Sequence, residues 1–82
     1  MQLQSATGFA SFVRASRMNA HMTQQQLADA ARKSRRWVSD LESGKVTPSL
    51  SAAIDVAAVL GYTVILDRSE RSGVLDQVFE EL

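Results

Sequence analysis

Residues 22–45, MTQQQLADAARKSRRWVSDLESGK, constrain this chain more than any other stretch. Two helix patterns, each about two turns long, follow one another here with only Arg32-Lys33 between them. Thr23-Gln24-Gln25-Gln26 has the form of a capping box. The threonine hydroxyl takes the N–H three residues on, and the glutamine side chain reaches back to the threonine N–H. Leu27, Ala28 and Ala31 then make a narrow apolar face, whose small alanines let another helix come close. Ser34 is placed to cap the second pattern. In it Val38 and Leu41 point inward at i, i+3, while Arg35, Arg36, Ser39 and Asp40 mostly point the other way. Gly44 is a left-handed stop. Helices this short do not stand alone in water, so both must pack against the rest of the chain.

The flanks supply that packing. From Thr7 to about Asn19, Phe9, Phe12 and Val13 recur at helical spacing with Ala6, Ala10 and Met18 near the same stripe, and Thr7 or Ser5 can cap the start. Arg14 and Arg17 share one side of this helix, and the plain reading of Arg14 is a solvated face. Pro48 marks a loop. Ser49 caps a fourth helix running to Leu60, with Leu50, Ala53, Ile54, Ala57, Ala58 and Leu60 as its expected apolar face and Gly61 as its terminator.

The period then changes. Residues 62–66, YTVIL, are β-branched and aromatic and read as a strand. A single strand leaves its backbone groups unsatisfied. The expectation is pairing with the same strand of a second subunit, antiparallel across a two-fold axis, with Tyr62, Val64 and Leu66 as dimerisation residues. An extended segment lying over the core is the alternative. Residues 68–73 form a polar hinge. Val74, Leu75, Val78, Phe79 and Leu82 follow at helical spacing, opposite Asp76, Gln77, Glu80 and Glu81. This amphipathic end either docks on its own core or anchors a partner protein. The expected layout is a domain over residues 1–61, a dimerisation strand at 62–67 and an acidic amphipathic tail at 68–82. The fold class is all-α, with four to five helices and one short C-terminal strand.

Composition narrows the function. The 82 residues suit one small domain with a thin core, which oligomerisation would help. With no cysteine and one histidine, His21, neither a disulfide framework nor a zinc centre is expected. No apolar run nears a membrane span. The start, MQLQSATGFASF, lacks the basic flank of a signal peptide, so a cytoplasmic protein is the default. The net charge of zero is unevenly spread. Residues 1–66 hold seven Lys/Arg against four Asp/Glu, and residues 67–82 hold two Arg against five acids. A mildly basic body can face a polyanion, and the acidic end should not.

The basic cluster gives that body a chemistry. A helix that presents its first turn outward can enter the major groove of B-form DNA. Arg35 and Arg36 begin the third helix, and a guanidinium fork donates two hydrogen bonds to O6 and N7 of guanine. Ser39 and Asp40 stand one turn later on the same sides. Asp40 is able to accept from cytosine or to orient an arginine of its own helix. Phosphates need other groups. Gln24 adds a donor at the start of the second helix, Ser43, Lys45 and Thr47 lie in the loop after the third, and Arg32 and Lys33 add positive charge at the link. Trp37 suits packing over the scaffold, a contact with the sugar-phosphate backbone or a thymine methyl, or a cation–π contact with a neighbouring arginine.

The run TQQQLADAARKSRRWVSDLESGKVTPSL resembles the helix-turn-helix of Xre/Cro-type, phage-repressor-like proteins. The resemblance is carried by Thr23-Gln24, Leu27-Ala28, Val38-Ser39, Leu41-Glu42-Ser43-Gly44-Lys45 and Pro48, and it covers roughly residues 9–61. It implies a compact, usually dimeric, sequence-specific DNA-binding domain. It makes Gln24 a phosphate contact, Arg35, Arg36 and Asp40 base-facing, and Arg17 the partner of Glu42. The family's usual turn glycine is replaced here by Arg32, and the apolar residue that often follows by Lys33. A strand directly after the domain resembles the HipB-type antitoxins. That resemblance implies a dimeric repressor of its own operon that binds a HipA-type kinase toxin, with Val74, Leu75, Val78, Phe79 and Leu82 as candidate toxin contacts.

The leading expectation is therefore an antitoxin-repressor that binds a palindromic operator as a homodimer, with no cofactor. A plain Xre-type regulator is the alternative. A protein-interaction module without DNA is a second class, disfavoured by arginine at both 35 and 36. An enzyme is a third, disfavoured because Asp29, Asp40, Glu42 and Asp55 show no spacing that calls for paired acid–base work.

Overall fold

The computed structural model describes residues 5–65. They form four helices: α1 (Ala6–Asn19), α2 (Gln24–Ala31), α3 (Arg35–Glu42) and α4 (Leu50–Val59). Among the described residues there is no strand. Residues 62–65 take no regular secondary structure, and Leu66 and the 68–82 tail lie outside the described residues.

Every helix begins the same way. The hydroxyls of Ser5, Thr23, Ser34 and Ser49 accept from the N–H groups of Gly8, Gln26, Trp37 and Ala52 at 3.0–3.1 Å. Each satisfies a donor that the helix itself cannot, which stabilises by about 1 kcal/mol. At α2 the box closes, because Gln26 Oε1 accepts from the Thr23 N–H at 2.8 Å. Ser5, not Thr7, is the cap of α1.

Every helix also ends the same way, with a left-handed residue and a pair of closing hydrogen bonds. His21 (φ 56°), Arg32 (φ 58°), Gly44 (φ 82°) and Gly61 (φ 87°) hold that position. The following residue donates back across the last turn: Met22 to the Arg17 carbonyl, Lys33 to Ala28, Lys45 to Asp40 and Tyr62 to Ala57, at 2.8–3.1 Å. Two of the four stops are glycine, and those were legible in the sequence. The other two are L-residues in a conformation that costs them roughly 1–2 kcal/mol. Arg32 therefore makes the turn that glycine usually makes, at some strain.

The core follows from the helical spacing. Phe12 and Val13 of α1, Leu27, Ala28 and Ala31 of α2, Val38 and Leu41 of α3 and Val56 of α4 form one cluster. Val13, Leu27, Ala28, Val38, Leu41 and Val56 are fully buried. Ala28 and Ala31 let α2 sit centrally, against both α3 and α4. Met18 stands exposed, off the stripe expected of it.

Helix α4 corrects the sequence reading. Its inward face is Ala52, Val56 and Ala57. Leu50 and Ile54, expected inside, are 61% and 45% exposed, and Ala58 is exposed as well. The physical reason is composition: LSAAIDVAAV is apolar on nearly every side, so spacing alone cannot choose the buried face. Beyond Gly61 the Tyr62 ring meets Phe12 edge-on at 4.7 Å between centroids. Such a contact adds roughly 0.5–1.5 kcal/mol beyond burial. Val64 and Ile65 are exposed.

The two kinds of left-handed stop respond oppositely to substitution. Gly44 has open space where a Cβ would stand, so Gly44→Ala meets no clash and costs only backbone strain, about 1 kcal/mol. Arg32→Gly relieves that strain, less the entropy glycine returns to the unfolded chain, for a gain of roughly 0.5 kcal/mol. Chemical denaturation of the two variants should show the midpoint falling in the first and rising in the second.

Candidate nucleic-acid interface

The link between α2 and α3 sets the angle of the third helix. Arg32 turns the chain left-handed, the Lys33 N–H closes on the Ala28 carbonyl at 2.8 Å, and Ser34 starts α3 at once. Two residues thus separate one helix from the next cap. Val38 and Leu41 then anchor α3 with no exposure at all. The same rotation leaves Arg35 and Arg36 exposed at its first turn, while Ser39 and Asp40 are half-buried.

The outward groups of α3 are nearly free of one another. Arg36 Nε lies 4.0 Å from Asp40 Oδ2, with the Arg36 side chain 92% exposed. That is an ion pair at its outer limit, and it leaves the guanidinium fork open to another acceptor. Arg35 makes no ion pair among the described residues. Trp37 packs half-buried against the core. Lys33 Nζ lies 5.4 Å from its ring centroid. The cation over the tryptophan is thus Lys33 and not a neighbouring arginine, and it ties the link to the first turn of α3.

Behind this head lies a second polar group. Arg17 Nε donates to Glu42 Oε2 at 2.7 Å and Arg17 Nη2 to Oε1 at 3.0 Å, a fork-to-fork pair. The remaining arm, Nη1, donates to the Met22 carbonyl at 2.8 Å. The two side chains are only 13% and 4% exposed. The Glu42 hydrogen bonds raise the Arg17 pKa above the ordinary arginine value against the opposing pull of burial. An arginine raised in this way contributes fully below the unfolded value and loses its share only as pH climbs through the raised one, so its side of the pair is constant through neutral pH.

Gln24 joins the same pair. Its Nε2 donates to Glu42 Oε1 at 3.3 Å. A primary amide carries two N–H groups, so one faces Glu42 and the second remains for a further acceptor. This contact was not legible from spacing, because Gln24 and Glu42 are brought together only by the packing of α2 on α3. Arg14, Arg17, Gln24, Ser39, Glu42 and Ser43 line an open notch of about 240 Å³ at this junction. Ser43 donates its hydroxyl to the Asp40 carbonyl at 3.2 Å, and Lys45 and Thr47 stand exposed in the loop that follows. Arg32 is exposed on the link. The structure therefore sets Gln24, Ser39 and Ser43 around one notch, and leaves Arg32, Arg35 and Arg36 exposed on the link and the first turn of α3. It commits Lys33 to Trp37, and Arg17 and Glu42 to each other.

The described residues hold no group of three or more His, Cys, Asp or Glu able to bind a metal ion. They hold no helix long and apolar enough to cross a membrane.

The pair behind the head is a stability prediction. Arg17→Met leaves Glu42 buried with only the Gln24 amide as partner and should cost roughly 3–5 kcal/mol. Replacing both ends together, Arg17→Met with Glu42→Leu, removes the stranded charge and should recover most of that loss. Denaturant titration of the two variants decides it, and equal loss in both would show that the ion pair itself, and not a stranded carboxylate, carries the energy.

Residues 13–65 match the family of helix-turn-helix domains of the Xre/Cro-like type. No curated protein matches the chain. The matched segment runs from the buried Val13 of α1 past the end of α4, so it contains α2, the Arg32 turn, α3 and the notch. Proteins of this family are DNA-binding regulators and not enzymes. The chain belongs to the Xre/Cro-like helix-turn-helix family, and it is a DNA-binding transcriptional regulator.

Proposed function

We propose that the protein is a cytoplasmic, sequence-specific repressor that binds a palindromic operator as a homodimer, with α3 as its reading helix. The observation that carries the proposal is the division of α3. Val38 and Leu41 have no exposure, while Arg35 and Arg36 stand open at its first turn. A helix anchored on one side and cationic on the other can lie in a major groove with its early residues at base edges. In this reading Arg35 and Arg36 take guanine O6 and N7, and Ser39 and Asp40 read the next positions. Gln24 gives its free N–H to a phosphate, and Arg32, Ser43, Lys45 and Thr47 hold the flanking backbone. Lys33 adds charge there from its place over Trp37.

Dimerisation is supported by exposed apolar side chains near the end of the domain: Leu50 and Ile54 of α4, then Tyr62, Val64 and Ile65. Gathered into one patch, such side chains would suit a subunit interface. Pairing of residues 62–67 across a two-fold axis would satisfy the backbone of that segment as well, with Tyr62, Val64 and Leu66 in the interface. The antitoxin reading rests on the sequence alone. The 68–82 segment offers Val74, Leu75, Val78, Phe79 and Leu82 to a HipA-type kinase, and its acidic balance keeps it off DNA.

Binding to the DNA upstream of the gene tests the reading head. Arg35→Ala and Arg36→Ala should each lower affinity for that operator by about 1–3 kcal/mol and lower affinity for unrelated duplex much less. Equal loss on both DNAs would reduce these arginines to phosphate contacts. Mass measurement after co-expression with the neighbouring gene product tests the rest. A complex of two copies with a kinase supports the antitoxin, and two copies alone support a plain regulator.

A further inference from the structure

We propose that Arg14 is a phosphate contact of the DNA interface, and that it supplies the net positive charge of the α1 side of the notch. The proposal rests on DNA binding by the chain and adds a residue on the first helix to that interface.

Arg14 and Arg17 lie three residues apart on α1 and line the same notch, but their circumstances differ. All three arms of Arg17 are occupied, two by Glu42 and one by the Met22 carbonyl. Its charge is cancelled by the carboxylate it holds. Arg14 is exposed and makes no ion pair or side-chain hydrogen bond among the described residues. No acid on α1 can neutralise it, because ATGFASFVRASRMN contains none. The one acid that lines the notch, Glu42, is held by Arg17. Around the notch the charges of Arg17 and Glu42 therefore cancel, and that of Arg14 remains.

The other walls fit the same ligand. Ser39 and Ser43 come from one flank of α3, the helix that carries Arg35 and Arg36, and Gln24 holds an N–H in reserve. With the Ser43 hydroxyl given to the Asp40 carbonyl, one uncompensated guanidinium, the Ser39 hydroxyl and an amide N–H supply the donors of an open concavity of single positive charge. That is the chemistry of a phosphodiester, which carries one negative charge and needs several donors. An arginine stem in the middle of α1 is long enough to track a backbone passing across the notch while α3 occupies the groove.

A phosphate contact is independent of sequence, so a short mixed-sequence duplex is a sufficient probe. Fluorescence anisotropy over a series of salt concentrations gives the slope of log affinity against log salt. Arg14→Ala should weaken binding roughly tenfold at low salt and reduce the size of that slope by about 0.9, the share of one phosphate. Arg14→Lys should keep the slope. The melting temperature of both variants should match the unaltered protein, since the side chain is exposed. An unchanged slope in Arg14→Ala, with the unaltered protein binding in a salt-dependent way, would overturn the role of Arg14 and leave DNA binding intact. A salt-independent or absent affinity in the unaltered protein would overturn the DNA reading beneath it.

Discussion

The fork-to-fork pair of Arg17 and Glu42 is the constraint that the rest of the domain depends on. It joins the end of α1 to the end of α3, and through Gln24 it reaches the start of α2. The third arm of Arg17 holds the carbonyl of Met22, where α1 turns toward α2. Three helices thus converge on one nearly buried carboxylate. Apolar packing sets how close helices lie but is tolerant of sliding; a bidentate arginine is not. A pair of this kind adds little net stability over apolar side chains of equal size. Its use here is geometric, because it fixes the axis of α3 relative to the other two.

Short helices make that fixing necessary. The α2 and α3 helices have eight residues each, too few to persist without support. Their ends are therefore closed from both sides, by a hydroxyl cap at the start and a left-handed turn at the finish. The closed ends leave few backbone groups needing water, so α3 can follow α2 with only Arg32 and Lys33 before its cap. The link at Arg32-Lys33 accepts strain for the sake of charge, holding an exposed guanidinium where glycine would be easier. The same compactness brings polar groups of α1, α2 and α3 to one junction, where the spare N–H of Gln24 stands at the notch.

Much of this was legible in the sequence, and the reasons differ by residue. The starts of α2, α3 and α4 announce themselves because Thr23, Ser34 and Ser49 are oxygen-bearing residues set just before helical runs. The inward residues Val38 and Leu41 stand out because most of the helix around them is polar or charged. The face of α4 did not, since an all-round apolar helix carries no directional signal, and Ala52 and Val56 were chosen by packing. The left-handed turn at His21 gave no sign, because histidine does not mark that conformation as glycine does. The Gln24–Glu42 and Lys33–Trp37 contacts depend on how helices meet, which one-dimensional spacing does not encode. The strand period of residues 62–66 describes what those residues suit, whereas a ladder needs a second strand to exist.

These features describe a third helix whose exposed arginines are held from behind before any DNA arrives. The most direct measurement is nuclear magnetic resonance of the arginine Nε–H and glutamine amide signals as the upstream operator duplex is added. The account predicts large shifts for Arg35, Arg36 and Gln24, with the Arg17 Nε–H signal present in the free protein and little changed in the complex. Shifts concentrated on α4, with Arg35 and Arg36 unmoved, would contradict it.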